Sequence, residues 1–469
     1  MPEEFGFHDF EEHRARQHAR DFEKRLRNNE HFFIDLYQVD EIFQYYVQER
    51  SWDKAQRLLA FALETYASNA DLYFKMARLE VERGEMDTAL EEIDTALQFS
   101  PGNYDYLLAR SEVLARLDRY EEACELLEGL IPLTEHPEEV FLQLGNVAQV
   151  CNEFEDSARY YRQALQLAPD YEEALMELGF LLESEDRGGE ALSLYERYLD
   201  DNPYSASIWY QLGLWYHKAG NYERALEALE YALVIQDDFA AAYLYKGQVQ
   251  MDLERYHDAL RTFLEAGTIA PRDPNTLYQI AECYEHLDLF PEAIRYYSKV
   301  TELDPDYLEA WVGMGFCLEK RERYLEAVHF YHKAFRLDEE NEEVCLALAI
   351  CEYKLGNQHS AYLFLERAIA LAPDELTIWQ DWSELLYEQE NYPGAISMLE
   401  EGIKLNPGLS PLYYQCAAYC LSSGFPEKGL MYLENALLMD YDAHDLLFHY
   451  EPGLRDDRDV RLLLRQYRA

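Results

Sequence analysis

Cys283, Cys317 and Cys351 recur at intervals of 34 residues, and thiols at fixed spacing could hold zinc or carry a redox exchange. His329 and His332 stand three residues apart, which puts two imidazoles on one helix face and can begin a metal site. Cys416 and Cys420 lie one helical turn apart. Each reading depends on the element that carries the residue. If the three cysteines hold one position on successive stacked helices, their helix axes lie about 8–10 Å apart. That is too far for one tetrahedral zinc with Zn–S bonds of about 2.3 Å. They read as small buried packing residues, as do Cys416 and Cys420. The histidines have no cysteine or third ligand beside them and read as surface residues. No metal and no cofactor is expected. Neither a G-x-x-x-x-G-K-[ST] nor a G-x-G-x-x-G loop occurs, no nucleophile sits in a motif, and no catalytic residue is assigned.

The formal net charge is −50, from 91 acids against 41 bases. Such a field repels phosphate backbones and anionic lipid, so nucleic acid and membrane surfaces are not expected partners. No apolar run approaches the ~18 residues of a membrane span. The start, MPEEFGFHDFEEH, lacks the basic-then-apolar pattern of a secretory signal. Eight cysteines in a chain of 469 residues are not a disulfide framework. A soluble, cytoplasmic protein is the expectation, built either of several domains or of one repeat array.

The elements come from the repeat. Sliding IWYQLGLWYHKAGNYERALEALEYAL (208–233) by 34 residues aligns it with the next stretch, and the register runs from 36 to 443 without a gap. The windows are 36–69, 70–103, 104–137, 138–171, 172–205, 206–239, 240–273, 274–307, 308–341, 342–375, 376–409 and 410–443. Numbering each 1 to 34, position 20 is alanine except for Ser157 and Gly429, and position 8 is small except for Phe43. Apolar residues recur at three- and four-residue steps, which predicts two helices with one buried stripe each. Glycine at position 15 (Gly84, Gly220, Gly356, Gly424) suits a left-handed helix end. Proline at position 32 stops the second helix. Small residues at positions 8 and 20 let the two helices of a pair approach, and alanine at 27 is expected to do the same against the next pair.

Trp209, Leu212, Gly213, Tyr216, Ala225 and Ala232, with Pro271, Pro305, Pro373 and Pro407 in other windows, carry a resemblance to the tetratricopeptide repeat (TPR) family. The resemblance implies an all-α, right-handed superhelical α-solenoid of twelve helix-turn-helix units. Residues 1–35 are expected to form a charged helical cap, with the helix over 10–30 lying on the first pair. Residues 444–469 are expected to hold a capping helix over 459–468, with Val460, Leu463, Leu464 and Tyr467 on its apolar stripe.

The resemblance also implies that positions 2, 5, 6, 9, 12 and 13 of each first helix line a concave groove. Mapped here, they make Phe180, Tyr210, Leu214, His217, Tyr245, Tyr278, Glu282, Phe316, Tyr353 and Tyr387 the candidate partner-binding residues, with Phe74, Tyr414 and Ile350 in equivalent places. Aromatic rings give large contact area at low entropy cost, although each ring could equally pack on its neighbouring helix. Acids at these positions, among them Glu177, Glu183, Glu285, Glu319, Asp381 and Glu384, favour a basic or amphipathic protein segment. The lysine and asparagine clamp that holds a heat-shock protein's carboxylate tail is absent, because Asn146 has Leu142 as its position 5 partner. A non-enzymatic binding scaffold is therefore the expected function. A self-assembling homo-oligomer is the alternative, and RNA binding and catalysis rank lower.

Overall fold

The residue before a first helix commonly caps it. The backbone N–H of Gln38 donates to Asp35 at 2.8 Å, that of Leu72 to Asn69 at 3.1 Å, and that of Val344 to Asn341 at 2.9 Å. Each such bond satisfies one of the orphan donors of a helix start. The computed structural model describes residues 4–28 and 32–467. They divide into two compact units, Met1–Gln236 and Asp237–Ala469.

In the first unit α1 (Glu4–Arg27) precedes α2 (Leu36–Gln48) and α3 (Trp52–Thr65), α4 (Ala70–Arg83) and α5 (Met86–Phe99), and α6 (Tyr104–Arg116) and α7 (Tyr120–Glu128). Then come α8 (Pro137–Val150) and α9 (Phe154–Leu167), α10 (Glu172–Ser184) and α11 (Gly188–Asp201), and α12 (Ala206–Lys218) and α13 (Tyr222–Ile235). The second unit opens with α14 (Ala240–Asp252) and α15 (Tyr256–Ile269), α16 (Pro274–His286) and α17 (Phe290–Leu303), and α18 (Leu308–Lys320) and α19 (Tyr324–Leu337). It continues with α20 (Glu342–Lys354) and α21 (Gln358–Leu371), α22 (Leu376–Glu388) and α23 (Tyr392–Leu405), and α24 (Ser410–Ser422) and α25 (Pro426–Met439). Last are α26 (Leu446–Tyr450) and α27 (Arg458–Tyr467). Each unit is a helical-repeat solenoid in which every pair packs on the next.

The small residues of position 20 are all buried, Ala55, Ala225 and Ala395 completely. Position 8 is small because of what stands sixteen residues on. A Cβ on Gly213 would lie 2.7 Å from Leu229 Cγ, and one on Gly145, Gly179, Gly247 or Gly315 would strike the ring of Tyr161, Tyr195, Phe263 or Tyr331. Where position 8 is alanine the facing residue is commonly smaller, as in Ala349 beside Leu365. Ala281 is the exception: Tyr297 lies instead against Gly313 of the next pair. At position 27, Gly402 faces Trp379 of its own pair rather than the following pair, because only a missing Cβ leaves room for the indole.

Proline 32 has a second role. With the second helix stopped, the proline's free carbonyl accepts an indole N–H: Trp209 Nε1 donates to Pro203 at 2.9 Å, Trp311 to Pro305 at 2.8 Å and Trp379 to Pro373 at 3.0 Å. At position 15 the backbone is left-handed in every window, whether the residue is glycine (Gly356, φ +83°) or not (Glu254, φ 57°). A Cβ on Gly356 would meet nothing within 4 Å. Gly356→Val should therefore cost only the conformational strain, about 1–2 kcal/mol, while Glu254→Gly should be neutral or stabilising. Urea melts of the two variants check this.

At the N-terminal end Ala19 and Phe22 of α1 are buried, and Phe22 meets Phe61 edge-on at 5.6 Å. Arg14 and His18 both pair with Glu41. At the other end Val460 is buried and Leu463, Leu464 and Tyr467 pack on the core of the last pairs. Residues 29 and 30 of the expected N-terminal helix, residue 468 of the expected C-terminal one, and residues 1–3 lie outside the described residues.

Candidate functional site

In the second unit the first-helix faces of α16, α18, α20 and α22 enclose a cavity of about 780 Å³. Its floor is apolar, with Tyr278, Val312, Phe316, Leu346, Ile350 and Ile378. Its walls carry Glu282, Glu285, Glu309, Glu319, Glu342, Glu343, Glu375 and Asp381, against one base, Lys320. Among the described residues none of these eight acids makes an ion pair. Lys320 rests its ammonium over the Phe316 ring, 5.0 Å from the centroid.

Two of the acids are built into the pairs. Glu285 Oε2 accepts from Tyr297 Oη at 3.0 Å and from Cys317 Sγ at 3.6 Å. Glu319 Oε2 accepts from Tyr331 Oη at 2.8 Å, and the Cys351 thiol lies beside the same carboxylate. A carboxylate at position 12 thus ties the position 24 tyrosine of its own pair to the position 10 cysteine of the next. That accounts for the 34-residue cysteine spacing: these thiols are buried donors. Cys283 sits the same way on Met251 Sδ at 3.3 Å. Burial pushes the Cys283 thiol up to about 12, and Cys317 and Cys351 are pushed higher by burial and the adjoining carboxylates. They are poor nucleophiles. Burial also holds the Glu282, Glu285 and Glu319 carboxyls above their ordinary range, the lost hydration outweighing the pull of His286, Lys320 and Lys354 nearby.

The structure brings Tyr278, Glu282 and Phe316 together at the cavity, with Ile350 and Asp381. Tyr353 is half-buried and meets Trp382 edge-on at 5.3 Å, and Tyr245 is also half-buried. Tyr387 stacks on Tyr419 at 3.9 Å and donates to Glu451 at 2.6 Å, so its ring and hydroxyl are already engaged within the chain. Tyr414 leaves the groove altogether: it is fully buried and donates to the Asp440 carbonyl. In the first unit Phe180 is 63% exposed, whereas Tyr210, Leu214 and His217 are half-buried. Burial pushes the Tyr210 phenol up, and the His217 ring lies 5.4 Å from Tyr222. Phe74 packs on Tyr106 at 4.7 Å. His329 is exposed, but His332 is half-buried beside Phe364, which corrects its reading as a surface residue. Among the described residues no group of three His, Cys, Asp or Glu could hold a metal ion. Val312 and Leu346 also line the cavity; both occupy position 5, but neither is aromatic, so the aromatic pattern does not mark them.

Tetratricopeptide repeat family models match residues 41–104, 74–138, 210–274 and 245–307, a second model matches 173–236, and a third 140–175. The chain belongs to the tetratricopeptide repeat family. Proteins of this family are protein-interaction scaffolds. Protein CTR9 homolog of Arabidopsis thaliana is 24% identical over 319 residues, covering 58% of this chain and 28% of its own. DnaJ homolog subfamily C member 7 of Homo sapiens is 25% identical over 237 residues, covering 47% of this chain and 46% of its own. The TPR chain therefore spans less than half the length of these curated relatives. Among solved structures, yeast Tom70 is similar at a TM-score of 0.41 and 16% identity, over 91% of this chain and 98% of that one. YrrB, described as a TPR protein with an unusual peptide-binding site, is similar at 0.35 and 21%, over 40% and 96%. No helix among the described residues is long and apolar enough to cross a membrane.

Proposed function

We propose that this TPR chain is a non-enzymatic scaffold whose second-unit groove binds a protein segment bearing apolar and basic side chains. One observation carries the reading: eight acids line a cavity with an apolar floor, and none has an ion-pair partner. Four of them, Glu282, Glu285, Glu319 and Glu342, are half-buried; half-buried carboxylates without an ion pair are costly in the free protein, and a lysine or arginine brought by a partner relieves that cost. The apolar floor supplies contact area, and the rigid helix faces spare the partner most of the ordering cost on the scaffold side. Phe180, Tyr210, Leu214 and His217 offer the first-helix faces of α10 and α12 in the first unit for further contact. Twelve tandem units over 36–443 are the domain reading that accompanies this function.

Tyr278→Ala combined with Phe316→Ala should abolish capture of a cross-linked partner and reduce binding of a fluorescent lysine–leucine peptide at least tenfold, a modest loss for two interface aromatics. Thermal stability should fall less than binding: Phe316 is half-buried, and Tyr278 gives up its contacts with Tyr297 and Tyr307. Equal loss of binding and stability would make these rings structural and sink the proposal.

A further inference from the structure

Beyond the cavity the first-helix face is not open, from Gln380 and Tyr387 of α22 onto α24. Positions 5 and 12 of α22 are Gln380 and Tyr387; position 5 lines the cavity on α16, α18 and α20, and position 12 on α16 and α18. Gln380 Nε2 donates to Tyr450 Oη, and Tyr387 Oη donates to Glu451 at 2.6 Å. Tyr450 meets Tyr419 of α24 edge-on at 6.2 Å, and α26 packs along α24. The chain's own residues therefore occupy the wall that a partner would otherwise follow.

We infer that residues 446–451 are a strap, a cis occupant of the groove's end, which lifts to let a longer partner segment continue onto α22 and α24. The strap is short, and although Leu446, Phe448 and Tyr450 pack on the core of the last pairs they stay half-exposed. Its helix has five residues and stops at Pro452. Leu447 is its only fully buried side chain, while His449 is exposed and Tyr450 and Glu451 are half-buried. The chain on either side is held separately. α25 precedes it, and α27 packs on α25 through buried Val460, with Tyr467 donating to Glu434 at 2.6 Å. A segment with both ends anchored can swing out without unfolding its anchors.

The partner's role in this inference rests on the groove reading above; the strap's motion does not. Amide exchange of the full chain tests the motion directly. Residues 446–451 are expected to exchange faster than α24 and α25, and Tyr450→Phe with Glu451→Ala is expected to speed them further by about tenfold, as loss of two hydrogen bonds implies. The α24 and α25 amides should not change. Exchange of 446–451 in step with α24, in both proteins, would make the segment a fixed cap and overturn the inference. Titration with a fluorescent lysine–leucine peptide and one twice its length supplies the second readout. The double variant should bind the longer peptide more tightly than the wild type does, and the shorter one equally. Unchanged binding of both would overturn the competitive role. If neither protein binds either peptide, the groove reading fails while exchange still decides the strap.

Discussion

Gly315→Leu should destabilise the second unit by about 3 kcal/mol, near the upper end for overpacking a tight core. Even a methyl at this site would lie 2.5 Å from Tyr331 Cε1 and 2.6 Å from Cδ1. The ring cannot give way cheaply. It is only 1% exposed, and its hydroxyl is held by Glu319 at 2.8 Å. Moving it would break that bond and disturb the contact with Cys351 on the next pair. A fall of about 2–4 °C per kcal/mol is the expected scale for a region of this size. The companion variant, Gly315→Ala with Tyr331→Leu, copies the Ala349–Leu365 arrangement and should recover much of the loss relative to Gly315→Ala alone. Thermal melts of the three proteins decide it. An unchanged melting temperature for Gly315→Leu would show that the pair can open at no cost.

Glu285→Gln with Glu319→Gln should separate stability from binding. Glutamine keeps an acceptor for Tyr297, Tyr331 and the two thiols but removes both charges. Each native carboxyl is held above its ordinary value of 4.5 by burial. Between that value and the raised one, the folded chain holds protons that the unfolded chain has released, so stability falls as pH rises. The favourable contribution is complete below the unfolded value and is lost as pH climbs through the folded one. The variant has nothing to lose there. Its advantage in melting temperature over the wild type should be absent near pH 4 and grow toward neutrality. Binding of a lysine–leucine peptide should move the other way, tightening with pH in the wild type and falling at least about tenfold in the variant at neutral pH, as expected when charge-assisted bonds are removed. A variant that binds as well as the wild type would take these carboxylates out of recognition.

The period, the two helices of each pair and the small residues between them are legible in the sequence because they rest on local rules repeated in one register. Ala225 and Gly213 can be assigned to a seam before any coordinate is known, since a large residue there would collide wherever the pair forms. The cysteines are legible as buried for the same reason. Their acceptors are not, because a hydrogen bond from Cys317 to Glu285 spans 32 residues and two pairs.

The candidate site was read less completely. Register treats every first helix alike, so it offers Tyr278, Tyr387 and Tyr414 on equal terms. Tertiary structure distinguishes them: Tyr278 faces the cavity, Tyr414 is sealed beneath its own pair, and Tyr387 meets a segment 64 residues further on. By itself the sequence determined the repeat, its helices, its tight seams and its excess of acid. Only the folded chain decided which acids stand without an ion pair and where the groove ends, because ion pairing and coverage depend on contacts between residues that no local pattern brings together.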